Sequence, residues 1–253
     1  MIELNDVCCR FRKRKFGDKD FVAVAPVSLS FQDGGRYAIV GESGSGKTTL
    51  ARMIAGLQFP SGGNILVDGH GIYKNRKTVR GHYKSVQLIQ QNSASALDPK
   101  MTVGKSVEEP LRCFFHMEKQ ERKKKCLELF SLCNLPASYY ARLPSELSGG
   151  EQKRVAIARA LAAEPKCLIF DEATNGFDLP LRKKIIEEII VLQKQLGFTL
   201  IFITHDMELA VVIADEILVM KESVLMEQVA FTGDTTVFSN EYSKILLRAS
   251  GLL

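Results

Sequence analysis

The sequence lacks any run of apolar residues long enough to cross a bilayer. No window approaches eighteen uninterrupted apolar positions, which excludes a membrane-spanning helix and leaves any membrane connection to a partner. Its start, MIELNDVCCRFRKRKFG, has no apolar stretch after its charges, so no secretory leader is expected there. A large charge excess is missing too: 34 basic residues face 29 acidic ones, a formal net charge of +5, and no nucleic-acid partner is expected from so mild a balance. Six cysteines are present, but none forms a C-x-x-C pair, and their spacing suits neither zinc nor an iron–sulfur cluster. They read as the reduced thiols of a cytosolic protein. Internal repeats and low-complexity tracts are also missing.

What remains is 253 residues, 45% hydrophobic and 25% charged, enough to bury a core as one large domain or as a domain with an insert. Val27, Leu29 and Phe31 alternate with Ser28 and Ser30, a strand pattern that turns through QDGG into a second strand, RYAIV. A helix is predicted from Lys47 to about Leu57, ending near Gly56, with short strands at NILVDG and SVQLIQQ. Between Asn92 and Glu146 the composition becomes helical, broken by Pro110, Pro136 and Pro144. KCLIFDEA and FTLIFITHD read as buried strands. Between them LPLRKKIIEEIIVLQKQLG reads as a helix with one face made by Leu181, Ile185, Ile189, Leu192 and Leu196. Strands alternating with helices predict an α/β protein with a mainly parallel sheet. The basic runs RFRKRK (10–15) and KKK (123–125) read as solvated loop and helix surface.

GESGSGKT, Gly41 to Thr48, fits the phosphate-binding pattern G-x-x-x-x-G-K-[ST] between a strand and a helix. Gly41 and Gly46 let the backbone curl so that successive N–H groups face phosphate oxygens, and the helix N-terminus adds positive potential. Lys47 supplies a full charge for the β- and γ-phosphates and Thr48 a hydroxyl for Mg²⁺. The expected nucleotide contacts are Gly41, Glu42, Ser43, Gly44, Ser45, Gly46, Lys47, Thr48 and Thr49. CLIFDEAT places Asp171 at the end of a buried strand, suited to orienting a metal's water shell, and Glu172 beside it to polarise an attacking water. His205 ends the next buried strand, at the sheet edge where open α/β folds bind ligands, and is expected at the γ-phosphate. Asp206 reads as a helix N-cap, and His70, His82 and His116 as surface or packing residues.

A second glycine-pair turn opens onto a helix at LSGGEQKRVAIARAL, 147–161. Together with the loop and the two acidic and histidine motifs in this order, it makes the chain resemble the nucleotide-binding subunit of ATP-binding cassette (ABC) proteins over nearly its whole length. The resemblance implies one cassette over 1–253, with a catalytic core of 1–91 and 147–253, an N-terminal antiparallel β subdomain, and a helical insert of 92–146. It also implies that ATP and Mg²⁺ are bound. Gln91 corresponds to a glutamine that touches the metal and faces a membrane partner, so Thr48, Gln91 and Asp171 are the implied metal residues. His205 is the implied switch histidine, and Asp178 the aspartate of a loop that crosses a subunit interface. Phe11 is the expected adenine-stacking aromatic, with Phe16 the alternative.

Ser148, Gly149 and Gly150 are then a second anion site that closes over ATP held by the other subunit of a head-to-tail dimer. The stretch QQNSASALDPKMTVGKSVEEPL resembles the peptide/nickel importer branch. That branch implies an ATPase at the cytoplasmic face of the membrane, paired with a non-identical paralogue or with itself. It also implies two permease subunits, an extracytoplasmic binding protein, and a cargo of peptide, nickel or metal chelate. The rival is a soluble ABC-type regulatory or assembly ATPase without a permease. Three positions depart from the family pattern: Asn175-Gly176-Phe177 before Asp178, Glu151 for the commoner glutamine, and Gln90-Gln91-Asn92-Ser93, which lacks the usual aromatic and Asp-Pro.

Overall fold

In the computed structural model of the chain, residues 1–11, 20–73, 76–90, 96–173 and 179–253 are described. The departures at 175–177, together with Gln91, Asn92, Ser93, Asp178, Phe16 and most of the first basic run, lie outside them. The chain divides into two compact units, 1–83 with 198–253, and 84–197. The whole 92–146 stretch falls inside the second.

In the first unit, strands β1 (Ile2–Phe11) and β2 (Phe21–Phe31) form an antiparallel pair, with Leu4 opposite Leu29 and Val7 opposite Val27. The alternation in β2 buries Val27, Leu29 and Phe31 and leaves Ser28 and Ser30 outside. Strand β3 (Arg36–Val40) follows, then helix α1 (Lys47–Ile54), then β4 (Gly62–Val67), which pairs antiparallel with the other edge of β1, and β5 (His70–Gly71) beyond it. Helix α2 (Arg76–Ser85) leads out of this unit. The chain returns as β8 (Thr199–Thr204), α7 (Met207–Ile213), β9 (Glu216–Lys221), β10 (Val224–Ala230) and α8 (Glu241–Ala249). β3 lies parallel to both β8 and β9, and β10 closes antiparallel on β9. Because β3 is flanked on both edges by parallel strands, its residues Tyr37 to Val40 are all buried, as a two-sided sheet requires.

The second unit holds β6 (Val86–Ile89), α3 (Val103–Pro110), α4 (Lys119–Leu132), α5 (Gly149–Leu161), β7 (Cys167–Asp171) and α6 (Leu179–Leu196). β6 and β7 run parallel, Val86 opposite Cys167 and Ile89 opposite Phe170. Between α3 and α4 one π-helical turn, Leu111–Phe115, stops at His116, whose φ of 56° is left-handed. α3 packs closely on the turn at Tyr140: a Cβ on Gly104 would stand 2.4 Å from that ring, so only glycine admits the approach. Lys123 and Lys124 of the KKK run are exposed on α4.

One expected boundary moved and another held. α1 runs to Ile54 and ends at the expected Gly56, which adopts a left-handed φ of 74°, leaving Leu57 54% exposed. In α6, Ile185, Ile186, Ile189 and Leu192 form the buried face, but Leu196 is 47% exposed at the last helical position.

Candidate functional site

The loop 41–48 connects β3 to α1, and two of its glycines, Gly41 and Gly46, are required by their surroundings. Gly41 has φ 148°, and a Cβ there would lie 2.0 Å from the Met220 carbonyl oxygen of β9. Gly46 has φ 99°, and a Cβ there would lie 2.3 Å from the carbonyl oxygen of Ala23. No side chain fits at either place, so the backbone alone shapes the turn. Lys47 is buried. Its Nζ donates to the carbonyls of Gly41 at 2.8 Å and Glu42 at 2.7 Å and to Ser45 Oγ at 3.3 Å, folding the ammonium over its own loop. With no acidic residue in the first turn of α1, the field at its N-terminus stays positive. Glu42, Ser43 and Gly44 are exposed at the loop's crest, and Thr48 and Thr49 are half-buried at the start of the helix.

Register places the loop beside His205. Val40 lies opposite Thr204 across the parallel β3–β8 pair, so Gly41 and His205 leave neighbouring strands at the same carboxyl edge. His205 is exposed there. Asp206 caps α7, its carboxylate accepting the amides of Glu208 at 3.0 Å and Leu209 at 3.4 Å. One wall of the loop comes from an element that sequence reasoning did not identify. Tyr242 of α8 is buried, and its hydroxyl accepts the Glu42 amide at 3.3 Å, while Lys221 lies over its ring. Of the remaining histidines, His82 is buried, with Nε2 on the Ile54 carbonyl at 2.8 Å, and burial pushes its pKa down; His70 and His116 are exposed.

Phe11 ends β1 at 43% exposure, directly opposite Phe21 at 52%. Facing positions of an antiparallel pair share one side of the sheet, so two aromatic rings, not one, stand at the end of this hairpin. Nothing in the sequence separated Phe21 from the core aromatics.

In the second unit all of β7 is buried, which carries Asp171 to the strand end at 6% exposure. Glu172 follows, half-buried, with φ 49°. A left-handed backbone is uncommon for a glutamate and costs on the order of 1 kcal/mol, the kind of strain that collects at functional positions. Among the described residues no cluster of three or more His, Cys, Asp or Glu forms a metal site. The Asp171 carboxylate of this unit is an oxygen donor of the type a hard cation such as Mg²⁺ prefers, as is, in the first unit, the Thr48 hydroxyl.

The second glycine turn is a capped helix start. Ser148 is the N-cap of α5: its Oγ accepts the Glu151 amide at 3.4 Å and donates to the Glu151 carboxylate at 2.8 Å, while its own amide donates to the same oxygen at 2.8 Å. Tyr139 donates to the other Glu151 oxygen at 2.6 Å. The Tyr139 hydroxyl first, and then the Ser148 donors, hold the Glu151 carboxyl at about 2, so it is ionised at any physiological pH. The glutamate that departs from the family pattern therefore completes a capping box. Ser148 and Gly149 are exposed at the mouth of the helix.

The family profile "ABC transporter" matches residues 24–175, more than half of the chain, and the chain belongs to that family as an ATP-binding ATPase cassette. The nickel import ATP-binding proteins NikE of Shigella dysenteriae serotype 1 and of Escherichia coli O157:H7 are 38% and 37% identical to it over 224 residues, 88% of this chain and 83% of theirs. Among solved structures, the dimeric ATP-binding cassette MJ0796 in a post-hydrolysis state with ADP and Pi superposes with a TM-score of 0.80 at 28% identity, over 92% of this chain and 100% of that one. Another, cbiO1 from Clostridium perfringens, part of the ABC transporter complex cbiONQ, gives 0.79 at 28% identity, over 90% and 88%. The expected α/β cassette with an antiparallel β subdomain matches these neighbours. No helix among the described residues is long and apolar enough to cross a membrane.

Proposed function

We propose that the chain is the ATPase subunit of an importer, working at the cytoplasmic face of the membrane, and that nickel is its cargo. Two cassettes, this one and a paralogue or second copy, close head to tail so that the Ser148–Gly150 turn of each meets the γ-phosphate of ATP held on the other's loop. Closure does work on two permease subunits because ATP makes contacts in the closed pair that it lacks in the open one. The similarity to nickel import ATP-binding proteins supports the cargo and the importer assignment.

The observation that carries the split-site reading is the glycine at 150. Its backbone does not need a left-handed φ, and a Cβ there would meet nothing nearer than the Leu181 side chain at 3.6 Å. The chain's own packing does not call for glycine, whereas a ligand lying against the backbone does. Ser148→Arg tests this. Nucleotide affinity of the lone subunit is expected to stay within about twofold, and hydrolysis by the assembled complex to fall about a hundredfold or more, as when a phosphate donor is removed. Unimpaired hydrolysis would sink the shared site.

In this reading the loop amides and Lys47 hold the β- and γ-phosphates, Glu172 polarises the attacking water, His205 contacts the γ-phosphate and Phe11 stacks on adenine. Thr48, Asp171 and Gln91 would hold Mg²⁺, which when bound neutralises charge on the transferring phosphoryl group. Asp178 acts across the subunit interface. The importer assignment is tested by purification from membranes. Recovery with two multi-spanning proteins and nickel-dependent uptake by the cells are expected; a complex found only in the soluble fraction would replace this reading with that of a regulatory ATPase.

A further inference from the structure

The loop 41–48 contains one residue that its proposed task does not call for. Glu42 is the only acidic residue between Gly41 and Ile54, and it stands exposed at the crest of a turn offered to phosphate groups. A carboxylate free to swing there would repel a polyphosphate and oppose the field of Lys47 and the helix start.

The surroundings of Glu42 answer this. The Tyr242 hydroxyl accepts the Glu42 amide at 3.3 Å. Burial first, with the Glu42 and Glu222 carboxylates, pushes the Tyr242 pKa up, and the Glu42 carboxylate is close enough to bond to the same hydroxyl. The phenol therefore keeps its proton and can serve Glu42 twice, as acceptor for the main chain and as donor for the side chain. Lys221 Nζ, 4.7 Å from the centre of the Tyr242 ring, adds positive potential beside it.

Tyr242 is itself fixed from outside the loop. It is the second residue of α8, and the start of that helix is bound to β10: the Glu227 carboxylate accepts the Ser239 amide and hydroxyl, both at 2.7 Å, and the Asn240 amide at 3.0 Å. Asn240 in turn caps the helix by accepting the Tyr242 amide at 2.9 Å. Packing does not ask for the hydroxyl, since a phenylalanine ring would fill the same buried place.

We infer that Tyr242 is an electrostatic guard of the phosphate loop, holding the Glu42 carboxylate to α8 so that the acid does not oppose the phosphoryl groups of the nucleotide. The inference rests on the reading above in which the loop amides and Lys47 hold the β- and γ-phosphates. Tyr242 is a positioning residue: it acts through Glu42 and touches no nucleotide.

The test is titration of the full-length chain with fluorescent analogues of ATP and ADP. Tyr242→Phe keeps the ring and removes the hydroxyl. It is expected to weaken ATP about tenfold, the weight of one strong hydrogen bond, and ADP, which brings one phosphoryl group fewer, by about half that factor or less. In a Glu42→Gln background, where the charge is gone, the same change is expected to cost less than about twofold for either nucleotide. A merely structural hydroxyl would weaken ATP and ADP alike and would not be rescued by Glu42→Gln, and either result overturns the inference. So does an unchanged affinity in Tyr242→Phe. Lys47→Ala, titrated alongside, separates the two readings. If it loses affinity while Tyr242→Phe does not, the guard alone fails; if it binds ATP within about threefold of the parent, the loop reading fails and the guard falls with it.

Discussion

Replacing Glu172 by Gln leaves ATP bound and stops its cleavage. The substitution preserves size and hydrogen-bonding reach, so the strand end and its strained φ of 49° survive. Only the ability to take a proton from water is lost. A positioned general base contributes on the order of 10²–10⁴ in rate, and the turnover of Glu172→Gln is expected to fall by that factor while nucleotide affinity stays within a few-fold. Because binding survives without cleavage, the closed pair should accumulate, visible in size-exclusion chromatography as an ATP-dependent species of twice the mass. Near-normal turnover in this variant would remove Glu172 from the chemistry. Loss of turnover without a trapped pair would instead separate hydrolysis from closure. Asp171 is not interchangeable with it: at 6% exposure its carboxylate is held at the end of a wholly buried strand, which suits a fixed acid better than one that must meet water and return a proton.

Lys47→Ala acts one step earlier, on binding. The ammonium already reaches the carbonyls of Gly41 and Glu42 and the hydroxyl of Ser45, so it lies at the centre of the curl that β- and γ-phosphates are proposed to enter. Removing it takes away the loop's one full positive charge and leaves two inward-facing carbonyls short of a donor. A charge-assisted contact is worth about 1.5–3 kcal/mol, and two phosphate groups are involved, so a loss of affinity of about a hundredfold or more is expected in a titration with a fluorescent ATP analogue. An affinity within threefold of the parent would mean that the backbone amides and the helix terminus hold the nucleotide without the lysine. The contrast between the two variants matters as much as either result, because Glu172→Gln should bind without turning over and Lys47→Ala should do neither.

Much of this site is legible in the sequence because its parts are local. A glycine-rich loop, a strand ending in two acids and a serine–glycine helix start each depend on residues within ten positions of one another. The structure supplies the reason for Gly41 and Gly46 as named backbone oxygens that a Cβ would strike. Asp206 behaves as the N-cap that its position before MELAVVIA predicts. Illegible parts are those whose partners lie far along the chain. Tyr242 meets Glu42 across two hundred positions, and no spacing rule connects them. Phe21 looks like any strand aromatic until register sets it against Phe11. Strand β9, EILVM between charged residues, is a short apolar run that periodicity alone cannot assign, and it becomes a strand by pairing with β3.

Local patterns also overran their ends. The stripe drawn through α6 includes Leu196 at helical spacing, but the core beneath it stops a turn earlier and the side chain emerges into solvent. α1, by contrast, ends where its sequence announces it, at the left-handed glycine at 56. Glu151, a departure from the family pattern, is accommodated because Tyr139 and Ser148 use its charge to fasten the turn.

The glycines at 41 and 46 are shaped by main-chain oxygens that belong to other strands, the Met220 carbonyl on β9 and the Ala23 carbonyl on β2. Anyone grafting this octapeptide into a foreign scaffold would need to carry both flanking carbonyls with it, in register. The eight residues travel only as part of a mould whose other half is scattered along the chain, which makes whole-cassette exchange a sounder route to hybrids than transplanting the motif.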